Sequence, residues 1–223
     1  MSFDALASHY RWMECVLAGN KLHRCRTAFL ARVDGARSIL IFGEGNGRFL
    51  AACRQRLPAA HITCADASAR MLAIAQARIQ HLGLTTGRTD FVHADVLKWA
   101  PPAQAFDLIV THFFLDCFRL DQLDRVVTNL ACAAMPQASW LLADFQIPAA
   151  GLVRYRAQLI HVLMYAFFRA VANLPARELT PPDKFLKAHD FDLRERKVSE
   201  WGLLHTDLWV RKQAPVAPPT LVP

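Results

Sequence analysis

The chain lacks the long hydrophobic run of a membrane-spanning protein and the cysteine pattern of a disulfide-rich or metal-binding one. Its apolar stretch from 159 to 168 is about half the length that a spanning helix needs, and it contains His161. The six cysteines are scattered, without a C-x-x-C pair or metal-ligand spacing, so no metal site is expected. Four of them fall in patterned segments and are expected to be buried small apolar residues. These are Cys53, Cys64, Cys117 and Cys132.

Other absences narrow the class of protein. The first residues show no basic segment followed by an apolar core, so we expect no secretory signal and a cytoplasmic location. Charged residues make up only 20% of the 223 residues and hydrophobic residues 53%, which is typical of a globular domain. The net charge of +7 comes mostly from arginines spread singly along the chain, which favours a solvated basic surface. Attraction to acidic substrates or to anionic lipid surfaces remains an alternative.

Glycine is scarce, but three of the nine glycines lie at 43, 45 and 47, directly after the apolar run Ile39–Phe42. This pattern predicts a strand, a tight turn and a helix. A dinucleotide fingerprint would need its third glycine at the position of Arg48 or Leu50, so that class is excluded. Asp66 ends a second apolar run, 19 residues after Gly47. The arrangement predicts a nucleoside site in which Asp66 accepts hydrogen bonds from ribose hydroxyls.

Strand-like and helix-like segments alternate along the chain, which predicts a parallel sheet with helices on both faces. Five strands are expected, at about 38–42, 61–65, 89–93, 106–111 and 139–144. A long apolar helical stretch at 148–174 and two further strands at 191–198 and 203–211 follow. The polar residues of that stretch form one narrow stripe, which either faces water or lines a cavity. They are Arg154, Gln158, His161, Tyr165 and Arg169.

The G-x-G-x-G spacing, with its flanking strand, helix and acid, resembles the class I S-adenosylmethionine (SAM)-dependent methyltransferases, and in particular their UbiE-like small-molecule members. The resemblance implies an α/β, Rossmann-like fold with a seven-stranded, mostly parallel sheet, in which the last strand inserts antiparallel between strands five and six. It implies a single domain over 1–212 and a Pro-rich tail at 213–223. Within the domain it implies N-terminal covering helices at 1–35, a SAM-binding core at 36–147, a helical lid at 148–188 and closing strands at 189–212.

The same resemblance implies SAM as the cofactor and S-adenosyl-L-homocysteine as its product. The glycine turn would hold the methionine part, Asp66 the ribose, Asp95 the adenine amino group and the Val96 N–H a ring nitrogen. Tyr10, in a predicted amphipathic helix, would either fold over SAM or face the core. The expected cofactor contacts are Tyr10, Gly43, Glu44, Gly45, Gly47, Asp66, Ala67, Met71, Asp95, Val96 and Thr111.

One position departs from the family pattern. The family usually carries an acid two residues before the first glycine, where this chain has Ile41. Glu44, between the first two glycines, either takes over part of that role near the methionine amine, or the contact is absent.

The acceptor site is expected just beyond strand four. His112 and Asp116 are four residues apart, so one helical turn would place them on the same face. His112 would then be a base oriented by Asp116; alternatively His112 packs beside SAM and Asp116 caps the next helix. His161 and Tyr165 would line the acceptor cavity.

The expected function is SAM-dependent methyl transfer to a small, lipophilic acceptor. No N/D-P-P-Y/F motif is present, so no DNA partner is expected. The alternatives are a non-catalytic SAM-binding partner subunit and, less favoured, an RNA methyltransferase. A peripheral contact with a membrane, and the choice between monomer and homodimer, stay open.

Overall fold

The computed structural model describes residues 20–84, 88–172, 176 and 179–212. Its α-helices within these ranges are α1 (Lys21–Thr27), α2 (Arg48–Arg56), α3 (Ala69–His81), α4 (Leu120–Ala133), α5 (Leu152–Ala172) and α6 (Asp183–Ala188). Its strands are β1 (Ser38–Phe42), β2 (His61–Asp66), β3 (Thr89–His93), β4 (Phe106–His112), β5 (Ala134–Phe145), β6 (Phe191–Ser199) and β7 (Leu204–Arg211). Short 3₁₀ turns cover Leu30–Val33, Leu115–Cys117 and Glu200–Gly202. Tyr10 lies outside the described residues.

The strands form one seven-stranded sheet in the order β3-β2-β1-β4-β5-β7-β6. Neighbouring strands from β3 to β5 pair in parallel, whereas β7 pairs antiparallel with both β5 and β6. The predicted fold class is confirmed, including the insertion of the last strand between the fifth and the sixth. Strand order reverses at β1, which pairs with β2 on one side and β4 on the other.

The two faces of β1 belong to two different halves of the core. Leu40 and Phe42 pack with α4 and α6, whereas Ile39 and Ile41 pack with α2 and α3 on the opposite face. All four side chains are almost fully buried, as expected for a central strand covered by helices on both faces. Ile41 is therefore a core residue and presents no polar group to the crevice.

Helix α3 has the end signals that its sequence indicates. Ser68 stands at its N-cap in extended conformation and accepts a hydrogen bond from the Met71 N–H (3.2 Å). After its last turn, Gly83 adopts a φ of +64°, and the N–H of Leu84 donates to the carbonyl of Ile79. These ends fix the direction in which α3 leaves the ligand edge of the sheet.

Two expectations about buried residues need correction. Cys132 is exposed, because it lies on the outer side of α4, and Cys117 is only half-buried; Cys53 and Cys64 are buried as expected. β5 also begins at Ala134, five residues earlier than predicted, because it continues directly from the end of α4. The pairing of β4 with β5 accommodates this early start through a register shift between Phe106 and Leu108.

Helix α5 is turned with the middle of its polar stripe inward. His161 and Tyr165 are buried, and Ala157 lies beside them, whereas Leu159 and Leu163 are exposed. The reading in which this stripe faces water is therefore wrong for its central residues. No helix among the described residues is both long enough and apolar enough to cross a membrane.

Candidate active site

The glycine turn lies at the carboxyl end of β1, where the strand order reverses and ligands bind in folds of this kind. Gly43, Gly45 and Gly47 have φ values of +73°, +69° and +79°, in the left-handed region that favours glycine. A Cβ on Gly43 would overlap the ring of Phe114, and a Cβ on Gly47 would lie 2.7 Å from Cα of Ala75 on α3. The two glycines therefore let the turn pack closely, Gly43 against the ring of Phe114 and Gly47 against α3.

Glu44 points back into the turn and completes the start of α2. Its Oε1 accepts hydrogen bonds from the N–H groups of Phe49 (2.9 Å) and Leu50 (3.1 Å). Gly47, at the N-cap, has no side chain that could do this. Burial raises the pKa of Glu44 to about 7, although the two backbone bonds and the charge of Arg26 oppose the rise. Capping is thus the role seen for Glu44, and a contact with the cofactor amine stays a prediction.

Asp66 joins the glycine turn to the end of β2. Its Oδ2 accepts from the Gly45 N–H (3.2 Å) and its Oδ1 from the Ser68 N–H (2.9 Å). Burial raises its pKa, and these two bonds act in the opposite direction. A carboxylate has about four acceptor positions, so acceptor capacity remains for ribose hydroxyls.

The remaining predicted adenosine contacts lie on the neighbouring loops. Asp95 follows β3, and its Oδ1 accepts a hydrogen bond from the Leu97 N–H (3.0 Å). At least one acceptor position of the Asp95 carboxylate is therefore used within the same turn. Val96 is buried, and its carbonyl accepts from the side-chain amide of Asn129 (3.0 Å). The carbonyl of Ala67 contacts Nε2 of His93 (3.1 Å). These groups lie on the loops that follow β2 and β3, and their contacts with a cofactor stay predictions.

Two other predicted contacts use side chains that already have core partners. Met71 is buried at the start of α3. Thr111 is also buried, and its Oγ1 accepts a hydrogen bond from the indole N–H of Trp140 on β5 (2.8 Å). The side chain of Thr111 is therefore committed to β5, and any role at the site falls to its backbone.

His112 is buried at the end of β4 without a hydrogen-bond partner. Neither ring nitrogen has one among the described residues, and the edge of the ring meets Phe49 at a centroid distance of 4.5 Å. Burial, and then the nearby charge of Arg26, lower the pKa of His112 well below its usual value. The imidazole is therefore neutral at pH 7 and can accept a proton.

Asp116 does not share a helical face with His112, in contrast to the prediction from the sequence. Phe113, which follows His112, has a φ of +53°, and Asp116 lies in a separate 3₁₀ turn, so the two residues share no helical face. The predicted hydrogen bond between His112 and Asp116 is not formed. The backbone N–H of Asp116 instead donates to Oδ2 of Asp144 at the end of β5 (3.2 Å).

Asp116 and Asp144 form a buried carboxyl pair. Burial raises the pKa of Asp116 to about 6. Burial, and then the charge of Asp116, raise the pKa of Asp144 well above its usual value. Because two adjacent carboxylates in a dry site do not both ionise readily, the pair holds a proton near neutral pH and can exchange it with a bound group.

Tyr165 of α5 contacts the backbone of this pair and His161 lies one turn before it, whereas their role in lining an acceptor cavity stays a prediction. The Tyr165 hydroxyl donates to the carbonyl of Asp116 (3.2 Å), and Nδ1 of His161 bonds the carbonyl of Ala157 (2.7 Å). Nε2 of His161 has no partner among the described residues. The rings of Phe113, Phe145, His161 and Tyr165 follow one another at centroid distances of 5.1, 5.8 and 6.4 Å. They form an aromatic wall beside the carboxyl pair.

Sequence reasoning missed two residues of this site. Asp144 ends an apolar strand at the carboxyl edge, and the rule that selected Asp66 and Asp95 would have selected it as well. Arg26 of α1 is buried with its guanidinium 5.2 Å from the centre of the Phe113 ring, and it acts on the pKa of both Glu44 and His112. No local pattern marks Arg26, because the packing of α1 across the sheet edge brings it there.

Comparison with known proteins agrees with this geometry. Residues 39–137 match a family model described as a methyltransferase domain. An O-methyltransferase family 2 protein from Planctomyces limnophilus, solved in complex with apigenin, superposes with a TM-score of 0.70 at 14% identity over 93% of this chain and 62% of its own. The mitomycin 7-O-methyltransferase MmcR superposes with a TM-score of 0.68 at 17% identity, over 95% of this chain and 61% of the MmcR chain. The N-methyltransferase NodS from Bradyrhizobium japonicum superposes with a TM-score of 0.60 at 15% identity, over 87% of this chain and 99% of the NodS chain. The comparison with curated proteins gave no match.

Residues 39–137 thus match a methyltransferase domain, and the strand order and the glycine turn are those of the class I SAM-dependent methyltransferase fold, whose cofactor is SAM. The prediction of this class and of its cofactor is confirmed, whereas the narrower UbiE-like resemblance stays a prediction. The chain spans about six-tenths of the length of the two O-methyltransferases. The residues present fit SAM, because the glycine turn lies where the strand order reverses and Asp66 beside it keeps acceptor capacity for ribose hydroxyls.

Proposed function

We propose that this chain transfers a methyl group from SAM to a small, lipophilic acceptor. The observation that carries the proposal is the continuity of two sites along one edge of the sheet. The glycine turn and Asp66 lie at the ends of β1 and β2, and the carboxyl pair Asp116–Asp144 lies beyond the ends of β4 and β5. A donor and an acceptor bound at this edge would be neighbours.

The chain's own residues would hold the cofactor in place, exclude water from the site and accept a proton. SAM, when bound, supplies a methyl group that its sulfonium already activates. The glycine turn would hold the methionine part of the cofactor, and Asp66 would fix its ribose. Because the donor is activated, alignment and the exclusion of water provide much of the catalysis.

An acceptor hydroxyl or amine also has to lose a proton. His112 is neutral, buried and unpartnered among the described residues, so its ring nitrogens are available to that proton, although burial and the charge of Arg26 make it a weaker base than a free imidazole. Asp116 is the second candidate, acting through the pair that it forms with Asp144. The acceptor atom itself stays open among oxygen, nitrogen and carbon.

The aromatic wall supports a lipophilic acceptor. A flat apolar molecule would pack against the rings of Phe113 and Phe145, while the imidazole of His161 offers one unpaired polar atom, Nε2, for its orientation. The structures solved for relatives of the fold include one in complex with apigenin, a flat aromatic compound, which supports the same acceptor class.

Calorimetry with SAM and with S-adenosyl-L-homocysteine tests the cofactor half of the proposal. We expect both to bind, and Asp66→Ala to weaken binding by more than about 1 kcal/mol, because a charged acceptor of hydrogen bonds is lost. Asp124→Ala, which removes an exposed carboxylate from α4, is the control and should leave the affinity unchanged. Absence of binding at high micromolar concentrations would refute the proposal.

Transfer itself is tested by incubation with methyl-labelled SAM and a small-molecule extract of the host, followed by mass spectrometry. A labelled small molecule supports the proposal, and we expect His112→Ala to reduce its rate of formation. Binding of SAM without any labelled product would favour the non-catalytic partner subunit. Label recovered in added RNA would favour the RNA alternative.

A further inference from the structure

Helix α5 presents an apolar face to solvent. The side chains of Leu152, Tyr155, Leu159, Val162 and Leu163 are 60–87% exposed. Their spacing of 3, 4, 3 and 1 residues places them on one side of the helix, opposite the buried side of Ala157, His161 and Tyr165. Half of the large exposed hydrophobic side chains of the described residues lie on this single face, which marks it as an interaction surface.

The charges of α5 are of one sign. From Leu152 to Ala172 the helix carries Arg154, Arg156 and Arg169 and no acidic residue, and all three arginines are exposed. The salt bridges among the described residues involve none of them. At helical spacing Arg156 and Arg169 flank the apolar face on its two sides, whereas Arg154 lies behind it, and no acid of the described fold neutralises any of the three.

An exposed tryptophan lies in a turn that packs against α5. Trp201 is 76% exposed, in the Glu200–Gly202 turn that contacts the helix. Its φ of +61° and that of Glu200, +52°, are unfavourable for residues with side chains, so the surrounding packing holds the turn in this shape. Tryptophan and tyrosine are the residues enriched where proteins meet the lipid headgroups.

We propose that α5 lies flat on an anionic lipid bilayer, with Leu152, Leu159 and Val162 inserted among the lipids and its arginines on the phosphates. Such a helix combines an apolar face with basic residues, and α5 does not qualify as a spanning helix. The net charge of +7 adds long-range attraction to an acidic surface.

A second copy of the chain fits this face less well. In a pair of α5 helices packed through this face, neither helix would offer an acid to compensate Arg154, Arg156 or Arg169 of the other. Anionic lipids provide the complementary charge that a second copy lacks. Binding of α5 to a bilayer requires no catalytic activity, so a test of it is independent of the proposed methyl transfer.

Flotation of the full chain with vesicles tests the proposal. We expect binding to phosphatidylcholine vesicles that contain phosphatidylglycerol, weaker binding as salt rises, and little binding to phosphatidylcholine alone. Leu159→Glu combined with Val162→Glu should lower the affinity about tenfold or more, because two charged groups replace the inserted side chains. Arg156→Ala combined with Arg169→Ala, which removes the two arginines that flank the face, should remove most of the dependence on phosphatidylglycerol.

The matched control is Leu120→Glu, which places a charge on an exposed leucine of α4 and should leave vesicle binding unchanged. Thermal unfolding of each variant confirms that the fold is kept. The proposal is overturned if the wild-type chain does not float with anionic vesicles at low salt, or if the α5 variant floats as well as the control. It is also overturned if sedimentation shows a dimer that the same α5 substitutions dissociate.

Discussion

At the scale of single residues, the glycine turn combines ligand binding with support for its own helix. Gly43, Gly45 and Gly47 all adopt left-handed backbone conformations. Gly47 is also the N-cap of α2, and it has no side chain that could cap the helix. Glu44 supplies the missing acceptor from within the turn. The side-chain oxygen of Glu44 thus caps the N-terminus of α2, but burial outweighs the backbone hydrogen bonds and makes its carboxyl group harder to ionise than a free one.

Glu44 should make the stability of the protein depend on pH. Its pKa is about 7 in the folded chain against 4.5 for an unperturbed glutamate, so between these values the unfolded state binds fewer protons and the free energy of unfolding falls as pH rises. Glu44→Gln keeps an oxygen for Phe49 and Leu50 but cannot ionise. We expect the variant to match the wild type near pH 5 and to exceed it by on the order of 2 kcal/mol near pH 8.

Urea unfolding at a series of pH values measures this difference. Asp124→Asn, on the exposed side of α4, serves as the control that should follow the wild-type profile. If Glu44→Gln and the wild type show parallel profiles from pH 5 to pH 8, the buried carboxylate is not the source of the dependence.

At this scale the sequence predicts only features that depend on residues close together in the chain. Asp66 was selected because it ends an apolar run at a fixed distance from the glycines, and Ser68 because a serine suits the start of a helix. The partner of Asp116 was not readable in this way. Asp144 lies 28 residues further along the chain, and the parallel pairing of β4 with β5 brings the two together.

At the scale of elements, the close packing of the glycine turn on α3 is the contact that sets the shape of the crevice. In Gly47→Ala the new Cβ would meet the backbone of Ala75 at 2.7 Å, in addition to the cost of a φ of +79°. Gly83→Ala is a matched control, because its φ is +64° and nothing lies within 4 Å of the new Cβ. We expect a loss of about 1 kcal/mol at Gly83 and of about 3 kcal/mol at Gly47, measured by urea unfolding. Equal losses would mean that the turn and α3 can separate without cost.

The periodicity of α5 predicted a helix but not its orientation. Its polar stripe and its apolar side chains are compatible with either face being buried, and only the contacts of Tyr165 with Asp116 and of His161 with Phe145 decide between them. The same limit applied to the start of β5, since the sequence has no turn signal between α4 and that strand. Elements were therefore predictable where a glycine or a cap marks an end, and less so where one element continues into the next.

At the scale of the whole molecule, the order of the strands came from resemblance to a known fold and not from periodicity. Alternation of strands and helices predicts a parallel sheet, but it does not say that β7 inserts between β5 and β6. That insertion places Asp207 at full burial, where burial alone would raise its pKa. Hydrogen bonds from Arg196 (2.7 and 2.6 Å) and His205 (3.0 Å) outweigh this effect and lower the pKa.

The cysteines report on the fold as a whole, because they are distributed over both halves of the core. Cys25, Cys53 and Cys64 are buried, Cys117 is half-buried beside Asp116, and Cys132 is exposed on α4. Burial raises the pKa of the first four thiols, which further slows their reaction with a disulfide reagent.

We expect the folded Cys15→Ser variant to show one rapidly reacting thiol in titration with Ellman's reagent and all five after denaturation. Cys15 is replaced because it lies outside the described residues and would add an unassigned signal. A second change, Cys132→Ser, should abolish the rapid phase without altering the denatured count beyond the one thiol removed. Two or more rapid thiols in the folded Cys15→Ser variant would contradict this expectation, and rapid reaction at Cys53 or Cys64, as opposed to the half-buried Cys117, would require α2 to leave β2.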